Sequence, residues 1–196
     1  MPRNNFPATY FLDRQLFSHC QITIQKPQIS FPLGDFDFLK NADSVRCVAR
    51  QYFRTIHLWL PILSRSKFYG LILHQQLQKE ADLRLLVTCM HILLPRKCDG
   101  SQPRQTTYSS LKHQLVSLEQ AGVLTITVLQ AMILIAFYEL GHGIYPAVFL
   151  TVGTCARYAV ALGLNRDIFL WDHTETGWAA MEERHRVWWA VVILER

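Results

Sequence analysis

Histidine and cysteine are the first residues to consider for chemistry, because they are the usual ligands of zinc and other transition metals. The chain contains eight histidines and five cysteines. Ligands on one helix stand three or four residues apart, whereas His19 and Cys20 are adjacent and would diverge on a helix. Cys89, His91 and Cys98 would need tertiary folding to meet. We therefore predict no metal site and no cofactor within this chain.

The chain also lacks the short motifs that position catalytic groups. It has no G-x-S-x-G nucleophile turn, no phosphate-binding G-x-x-x-x-G-K, no dinucleotide-binding G-x-G-x-x-G and no H-E-x-x-H zinc pair. Each of these motifs holds a nucleophile, a phosphate or a metal ligand at a defined spacing. Their absence predicts a protein that is not an enzyme.

Composition restricts the remaining classes. Half of the residues are hydrophobic and 18% are charged, which is typical of a folded domain and excludes a disordered activation tail. The net charge of +5 comes from 20 basic and 15 acidic residues that are scattered, so neither a basic tail for nucleic acid nor a nuclear signal is visible. An odd number of widely spaced cysteines indicates a reducing compartment.

The stretch from Leu124 to Arg166 is the one around which the chain is organised. It has no charged residue between Glu119 and Glu139, and none between Glu139 and Arg157. Such runs are either two membrane spans or two helices inside a soluble core. Polar residues within both runs favour the core, so we predict two buried antiparallel helices and no membrane contact. The alternative is a small membrane protein that spans with Val123–Tyr138 and Tyr145–Cys155.

Capping residues mark the ends of these two helices. Thr125 or Thr127 can begin the first helix by accepting backbone N–H bonds, and Gly141 and Gly143 can end it in left-handed conformations. Gly163 can end the second helix in the same way.

Apolar residues at helical spacing predict further helices and an all-α fold. We expect an irregular approach segment at 1–40 and a helical domain at 41–196. The predicted flanking helices run from Asn41 or Asp43 to Ile56, from Ser66 past Tyr69, Leu73 and Leu77, from Ala81 to Leu94, from Tyr108 to Gln120, and from Thr176 to the end. The last helix is expected to present on one side Trp178, Met181, His185, Trp188, Trp189 and Val192.

Several strings in this domain occur in a characteristic order. They are Leu129-Gln130-Ala131, Ala136-Phe137-Tyr138-Glu139-Leu140, Gly153-x-x-x-Arg157-Tyr158-Ala159, the run 161–166, the run 183–189 and Ile193-Leu194-Glu195-Arg196. Together they resemble the fungal-specific transcription factor domain, the middle homology region of fungal zinc-cluster regulators. His185 and Glu195 stand where that family typically has arginine and aspartate. The resemblance implies motif or structural roles for Gln130, Tyr138, Glu139, Gly153, Arg157, Gly163, Leu164, Arg166, Glu183, Arg184, Arg186, Trp188, Trp189 and Arg196.

The resemblance also implies a function in the control of transcription and a nuclear location. Family members bind DNA through a zinc-binding cluster of six cysteines, but no C-x-x-C occurs in this chain. We therefore expect contact with DNA only through a missing or partner-supplied zinc cluster, and a protein partner in a homo- or heterodimer. A small-molecule effector is a further expectation. The alternative is a protein without its own DNA-binding module that modulates full-length regulators.

The family domain continues beyond the segment matched here, so the resemblance implies a domain that is truncated at its C-terminal end. The surface that further helices would cover is then expected to be exposed and apolar.

The residues 183–189 have two interpretations. They form either a partner surface or a structural segment in which Arg184 and Arg186 pair with Glu182 and Glu183, while Trp188 and Trp189 are buried. We favour the structural interpretation.

Two further groups have the same pair of interpretations. Arg157, isolated in an apolar helix, is expected to be a structural arginine with a partner rather than an anion-binding one. Tyr138, Glu139 and His142 line either an inter-helical pocket for an effector or, as we favour, the packed core.

Overall fold

The structure is a computed structural model that describes residues 36–73, 77, 79–95, 104–165 and 175–196. Helices are the only regular elements in these ranges, so the predicted all-α class is confirmed. Most of the predicted approach segment, together with Cys98 and Arg166, lies outside the described residues. The helices are α1 (Ala42–Arg54), α2 (Arg65–Leu73), α3 (Ala81–Leu93), α4 (Arg104–Gln120), α5 (Ile126–Gly141), α6 (Ala147–Ala161) and α7 (Glu175–Glu195), with 3₁₀ turns at Asp37–Lys40 and Ile56–Leu58.

The centre of the core is the contact between α3 and α5. Every residue of α3 from Ala81 to Met90 is buried, and so is every residue of α5 from Val128 to Ala136. The helices α1 and α4 pack on α3, while α6 and α7 pack on α5 and on each other. A helix that is covered on all sides can be apolar all round, which explains the charge-free sequence of α5.

The prediction that the second charge-free run is also a buried helix is wrong. In α6 only Thr151, Cys155 and Ala159 are buried. Phe149 is 71% exposed and Leu150 is 63% exposed. A run without charges does not distinguish a helix that is covered on all sides from one that keeps an uncovered apolar face.

The second central helix is instead α3, although its sequence contains two charged residues, Asp82 and Arg84. Asp82 and Arg84 are 2% and 6% exposed. The carboxylate of Asp82 accepts the hydroxyl of Thr125 at 2.9 Å and the backbone N–H of Leu83 at 3.0 Å. Buried charges are tolerated when hydrogen bonds replace the water that they lose. Their presence therefore did not place α3 at the surface.

The hairpin of α5 and α6 has the predicted direction and most of the predicted caps. Gly143 is left-handed with φ of +63°, whereas Gly141 is the last residue of α5 and is not left-handed. The hydroxyl of Thr125 accepts the N–H of Val128 at 3.2 Å, and Gly163 follows α6 with φ of +72°. The hydroxyl of Tyr158, near the end of α6, donates to the carbonyl of Val123 and accepts the N–H of Thr125, just before α5. The two helices therefore run antiparallel.

Alkaline pH is expected to weaken this hairpin through Tyr158. Burial raises the pKa of its phenol to about 12, above the value of ~10 for an unfolded tyrosine. The folded state thus retains the proton more tightly, so this contribution to stability is complete below pH ~10 and is lost as the pH rises from ~10 towards 12. Urea unfolding across this range should show a falling midpoint. The fall should be shallower in Tyr158→Phe and unchanged in Tyr145→Phe, whose native side chain is 79% exposed; equal slopes in both variants would contradict the assignment.

The flanking helices follow the prediction in part. Asn41 caps α1 by accepting the N–H of Asp43 at 2.9 Å. By contrast, α2 begins at Arg65, so Ser66 lies within the helix and not at its cap. Leu73, predicted for the apolar face of this helix, is 69% exposed.

The prediction for α4 differs only in its start, which is four residues earlier than expected. No helix in the described part of the chain is long and apolar enough to cross a membrane.

Candidate functional site

The carboxylate of Glu183, buried on α7, contacts three segments of the chain. Its Oε1 accepts the backbone N–H of Ser64 at 3.1 Å and the side-chain amide of Gln130 at 3.0 Å, and its Oε2 accepts Nζ of Lys67 at 3.0 Å. Gln130 also donates to the carbonyl of Ile62 at 2.7 Å. We call Glu183, Gln130, Ser64 and Lys67 the Glu183 cluster. It brings two motif positions, Gln130 and Glu183, into direct contact.

A second motif contact joins α7 to the end of α6. The guanidinium of Arg184 donates to the carbonyl of Leu162 at 3.0 Å. Gly163 and Leu164, which directly follow this carbonyl, are both buried. The run that begins at Ala161 and the run that begins at Glu183 are therefore held together by a side chain from one and the backbone of the other.

Glu139 occupies a third buried site, between α4, α5 and α6. The side chain is fully buried, and its Oε1 accepts the hydroxyl of Tyr108 at 2.6 Å and Nζ of Lys112 at 3.0 Å. Lys112 also donates to the hydroxyl of Thr151 at 3.0 Å. Burial, and then Glu139, raise the pKa of Tyr108 above its usual value. Burial, followed by the charge of Glu139, also raises the pKa of the Cys155 thiol to about 12, so this cysteine is unsuited to act as a nucleophile.

Tyr138 and His142 lie beside this site and are in contact with protein groups. The ring of Tyr138 stacks on His142 with centroids 4.1 Å apart, and on Tyr108 at 5.5 Å. Nδ1 of His142 lies 2.8 Å from the carbonyl of Tyr138. Tyr138 and Glu139 are buried while His142 is exposed. The packed interpretation therefore holds for Tyr138 and Glu139, whereas His142 packs on Tyr138 from the surface.

The remaining motif positions lie at the surface. Arg157 and Arg196 are exposed, so Arg157 is not a buried structural arginine. Gly153 lies on α6, where an added Cβ would meet no atom within 4 Å, so the described residues bring no neighbouring backbone close to it. Arg166 is outside the described residues.

The face predicted for the last helix is wrong. Among the side chains of α7 from Trp178 onwards, the buried ones are Glu183, Val187, Ala190 and Val191. Trp189, predicted to be buried, is 58% exposed, and Trp188 is only partly buried. Val187, Ala190 and Val191 thus pack in the core, Trp188 packs partly against it, and Trp189 remains outside. The predicted pairing of Arg186 with Glu182 is confirmed, at 2.8 Å.

Two of the three candidate metal ligands, Cys89 and His91, have other surroundings in the structure, and Cys98 lies outside the described residues. Cys89 is buried in α3, and burial raises the pKa of its thiol. His91 stacks on the ring of Phe38 with centroids 4.4 Å apart. Within the described ranges, no three His, Cys, Asp or Glu side chains are grouped as metal ligands would be.

The structure has two surface features at positions where the sequence did not predict them. The first is an exposed apolar face at the end of α5 and along α6, which we call the α6 face; its residues are Leu140, Tyr145, Phe149, Leu150 and Val160. The second is a cavity of about 630 Å³ between residues 57–69 and the first turns of α7. The charge-free sequence of α6 signalled the first feature but was interpreted as burial. The cavity depends on contacts between distant segments and left no local signal.

Two comparisons with known proteins place the chain in a family. The model of the fungal specific transcription factor domain matches residues 49–196. Transcription factor BOA15 from Botryotinia fuckeliana (strain B05.10) is 33% identical over 178 residues, which cover 90% of this chain and 98% of that protein. No solved structure matches the chain significantly.

The family match includes all helices from the end of α1 onwards and the three buried motif sites described above. It identifies a transcription regulator domain. The chain belongs to the fungal specific transcription factor domain family.

Proposed function

We propose that this chain, a regulatory domain of a fungal transcription factor, acts in the nucleus by binding the corresponding domain of a zinc-cluster relative. The observation that carries this proposal is the α6 face. Its large side chains are 58% (Leu140), 79% (Tyr145), 71% (Phe149), 63% (Leu150) and 50% (Val160) exposed. Several large exposed apolar side chains within one short segment are typical of protein interfaces.

The charge distribution favours a related domain as the occupant. Residues 140–156, which include four of the five side chains of the α6 face, have no Asp, Glu, Lys or Arg, and the exposed Arg157 is the single charged residue before Val160. Over residues 140–156, two such segments can meet without repulsion between like charges and without stranding a buried ion. A phosphate backbone, in contrast, is bound through several lysines and arginines, and this segment supplies one. The face is therefore suited to a second apolar helix and not to DNA.

The cysteines also favour DNA contact through a partner rather than through this segment. Zinc-cluster binding of DNA needs six closely spaced cysteines, whereas the five in this sequence are widely spaced and Cys89 and Cys155 are buried. We propose that this segment reaches DNA through a zinc cluster that a partner chain carries.

A DNA mobility-shift assay tests the proposal. The purified chain is added to a zinc-cluster relative from the same genome that is already bound to its DNA site. We expect no shift with this chain alone and a further retardation of the relative–DNA complex when both are present. Phe149→Asp combined with Leu150→Asp should abolish the further retardation, because a charge would be desolvated in the interface.

Ile193→Asp is the matched control. Its native side chain is 68% exposed, but it lies on α7, outside the α6 face. It should leave the retardation unchanged. A shift of DNA by this chain alone, or retardation that survives the double substitution, would refute the proposal.

A further inference from the structure

The cavity beside α7 has the size and composition of a small-molecule site. Its volume of about 630 Å³ lies within the range of ~300–1,000 Å³ that is usual for ligand pockets. The segment 57–66 and Tyr69 form one side, and α7 contributes Trp178, Glu182 and Arg186. The Glu183 cluster fixes this geometry, since Glu183 of α7 binds the backbone of Ser64 on the opposite side.

Part of the cavity lining is apolar and aromatic. Pro61 and Leu63 contribute aliphatic surface, while Tyr69 and Trp178 contribute rings. The indole of Trp178 is 62% exposed, although tryptophan is usually well covered in a folded domain. Exposed rings at the edge of a cavity can stack on a planar ligand.

The charged groups of the cavity are not balanced. Its two carboxylates are already engaged, Glu182 by Arg186 at 2.8 Å and Glu183 by Lys67 at 3.0 Å. Arg65 lies over the rings of Phe53 and Tyr69 at 5.9 and 5.8 Å, and no described carboxylate pairs with it. The guanidinium of Arg65 therefore leaves one positive charge at the cavity without a counter-ion.

A histidine adds a polar group without a partner. Nδ1 of His57 is buried and has no hydrogen-bond partner among the described residues. Burial lowers the pKa of His57, and the charges of Arg186 and Arg65 lower it further, so the ring is neutral at pH 7. Because Nδ1 is not accessible to solvent, His57 forms part of the cavity wall, and the charges of the two arginines oppose its protonation.

We propose that this cavity binds a small organic anion with a planar ring, whose ring stacks on Tyr69 and Trp178 and whose acidic group pairs with Arg65. This site is separate from the α6 face, so the proposal goes beyond the partner-binding function and does not depend on it. A ligand here would contact α2 and α7 together.

Two fluorescent probes with similar ring systems test the charge preference. Anilinonaphthalene sulfonate carries an anionic group, and phenylnaphthylamine lacks it. Binding of each to the full chain is measured by fluorescence titration and by calorimetry. We expect the anionic probe to bind about tenfold more tightly than the neutral one, as a charge-assisted contact predicts. Equal affinity for both probes, or no binding of the anionic probe, would overturn the proposal.

Matched substitutions locate the bound probe. Arg65→Gln and Trp178→Ala should each weaken binding of the anionic probe about tenfold, and Arg65→Gln should not affect the neutral probe. Arg157→Gln and Trp189→Ala replace exposed residues of the same types outside the cavity and should change affinity less than twofold. If the control variants weaken binding as much as the cavity variants, the probe binds elsewhere and the site assignment fails. All four positions are exposed, and circular dichroism confirms folding of each variant.

Discussion

Replacing Glu139 by alanine is expected to lower the free energy of unfolding by about 3 kcal/mol. The substitution removes the acceptor for the hydroxyl of Tyr108 and for the ammonium group of Lys112. The Lys112 side chain is only 33% exposed, so it keeps a charge that water solvates incompletely. Removing one partner of a buried ion pair costs more than the pair contributes, because the other charge is stranded.

Urea unfolding monitored by circular dichroism measures this loss. Glu119→Ala, which removes an exposed glutamate at the end of α4, serves as the control and should change stability by less than about 0.5 kcal/mol. Glu139→Gln keeps an acceptor and the shape of the side chain, so its loss should lie between the other two. A loss below ~1 kcal/mol for Glu139→Ala would show that the buried pair is not needed for stability.

The second large effect is expected for Glu183→Ala, with a loss of about 2–4 kcal/mol. Three donors lose their acceptor at once, namely the backbone N–H of Ser64, the amide of Gln130 and the ammonium group of Lys67. Lys67 is half exposed and regains solvation from water, whereas Gln130 is buried and does not. The loss therefore comes mainly from the unsatisfied buried donors.

Glu182→Ala provides the neighbouring control. Glu182 pairs with Arg186 at the surface, and exposed pairs contribute only ~0.2–1 kcal/mol. Hydrogen exchange adds a local measurement, because the amide of Ser64 should lose protection in Glu183→Ala and keep it in Glu182→Ala. Equal losses of stability in the two variants would contradict the role assigned to the Glu183 cluster.

Local features of the fold could be predicted because their causes lie within a few residues. Asn41 and Thr125 cap helices through side-chain oxygens that reach the next turn, and Gly163 takes a left-handed conformation without a steric cost. The helical segments follow from the spacing of apolar residues. Each of these signals acts over one or two helical turns, and each is visible in the sequence.

Burial could not be predicted with the same success, because it depends on which neighbours cover a helix. The sequence placed α3 among the flanking helices, whereas the structure buries it with Asp82 hydrogen-bonded to Thr125. Trp189 made the wrong side of α7 look like the apolar face, although Val187 and Val191 are the residues that pack. A large ring is more hydrophobic than valine, but valine fits a closer contact between helices.

The motif residues show the same limit. The resemblance to the family identified Gln130 and Glu183 as positions of interest, but not that the two side chains touch. They are separated by 53 residues, and a contact over that distance leaves no periodic signal. The cavity beside them was also missed, since His57, Arg65 and Trp178 meet only after α7 has packed against the segment 57–66.

The Glu183 cluster also has a consequence for the order in which the chain folds during synthesis. Glu183 lies 119 residues after Ser64, 116 after Lys67 and 53 after Gln130. Contacts over such separations form late, because the entropy of closing the loop must be overcome first. As the chain leaves the ribosome, the amide of Gln130 and the backbone N–H of Ser64 therefore cannot bind the carboxylate of Glu183 until α7 has emerged. The nascent protein therefore passes through a stage in which the segments before α7 have been synthesised and the Glu183 cluster has not formed. At this stage a chaperone or a partner domain has the greatest access to its apolar residues.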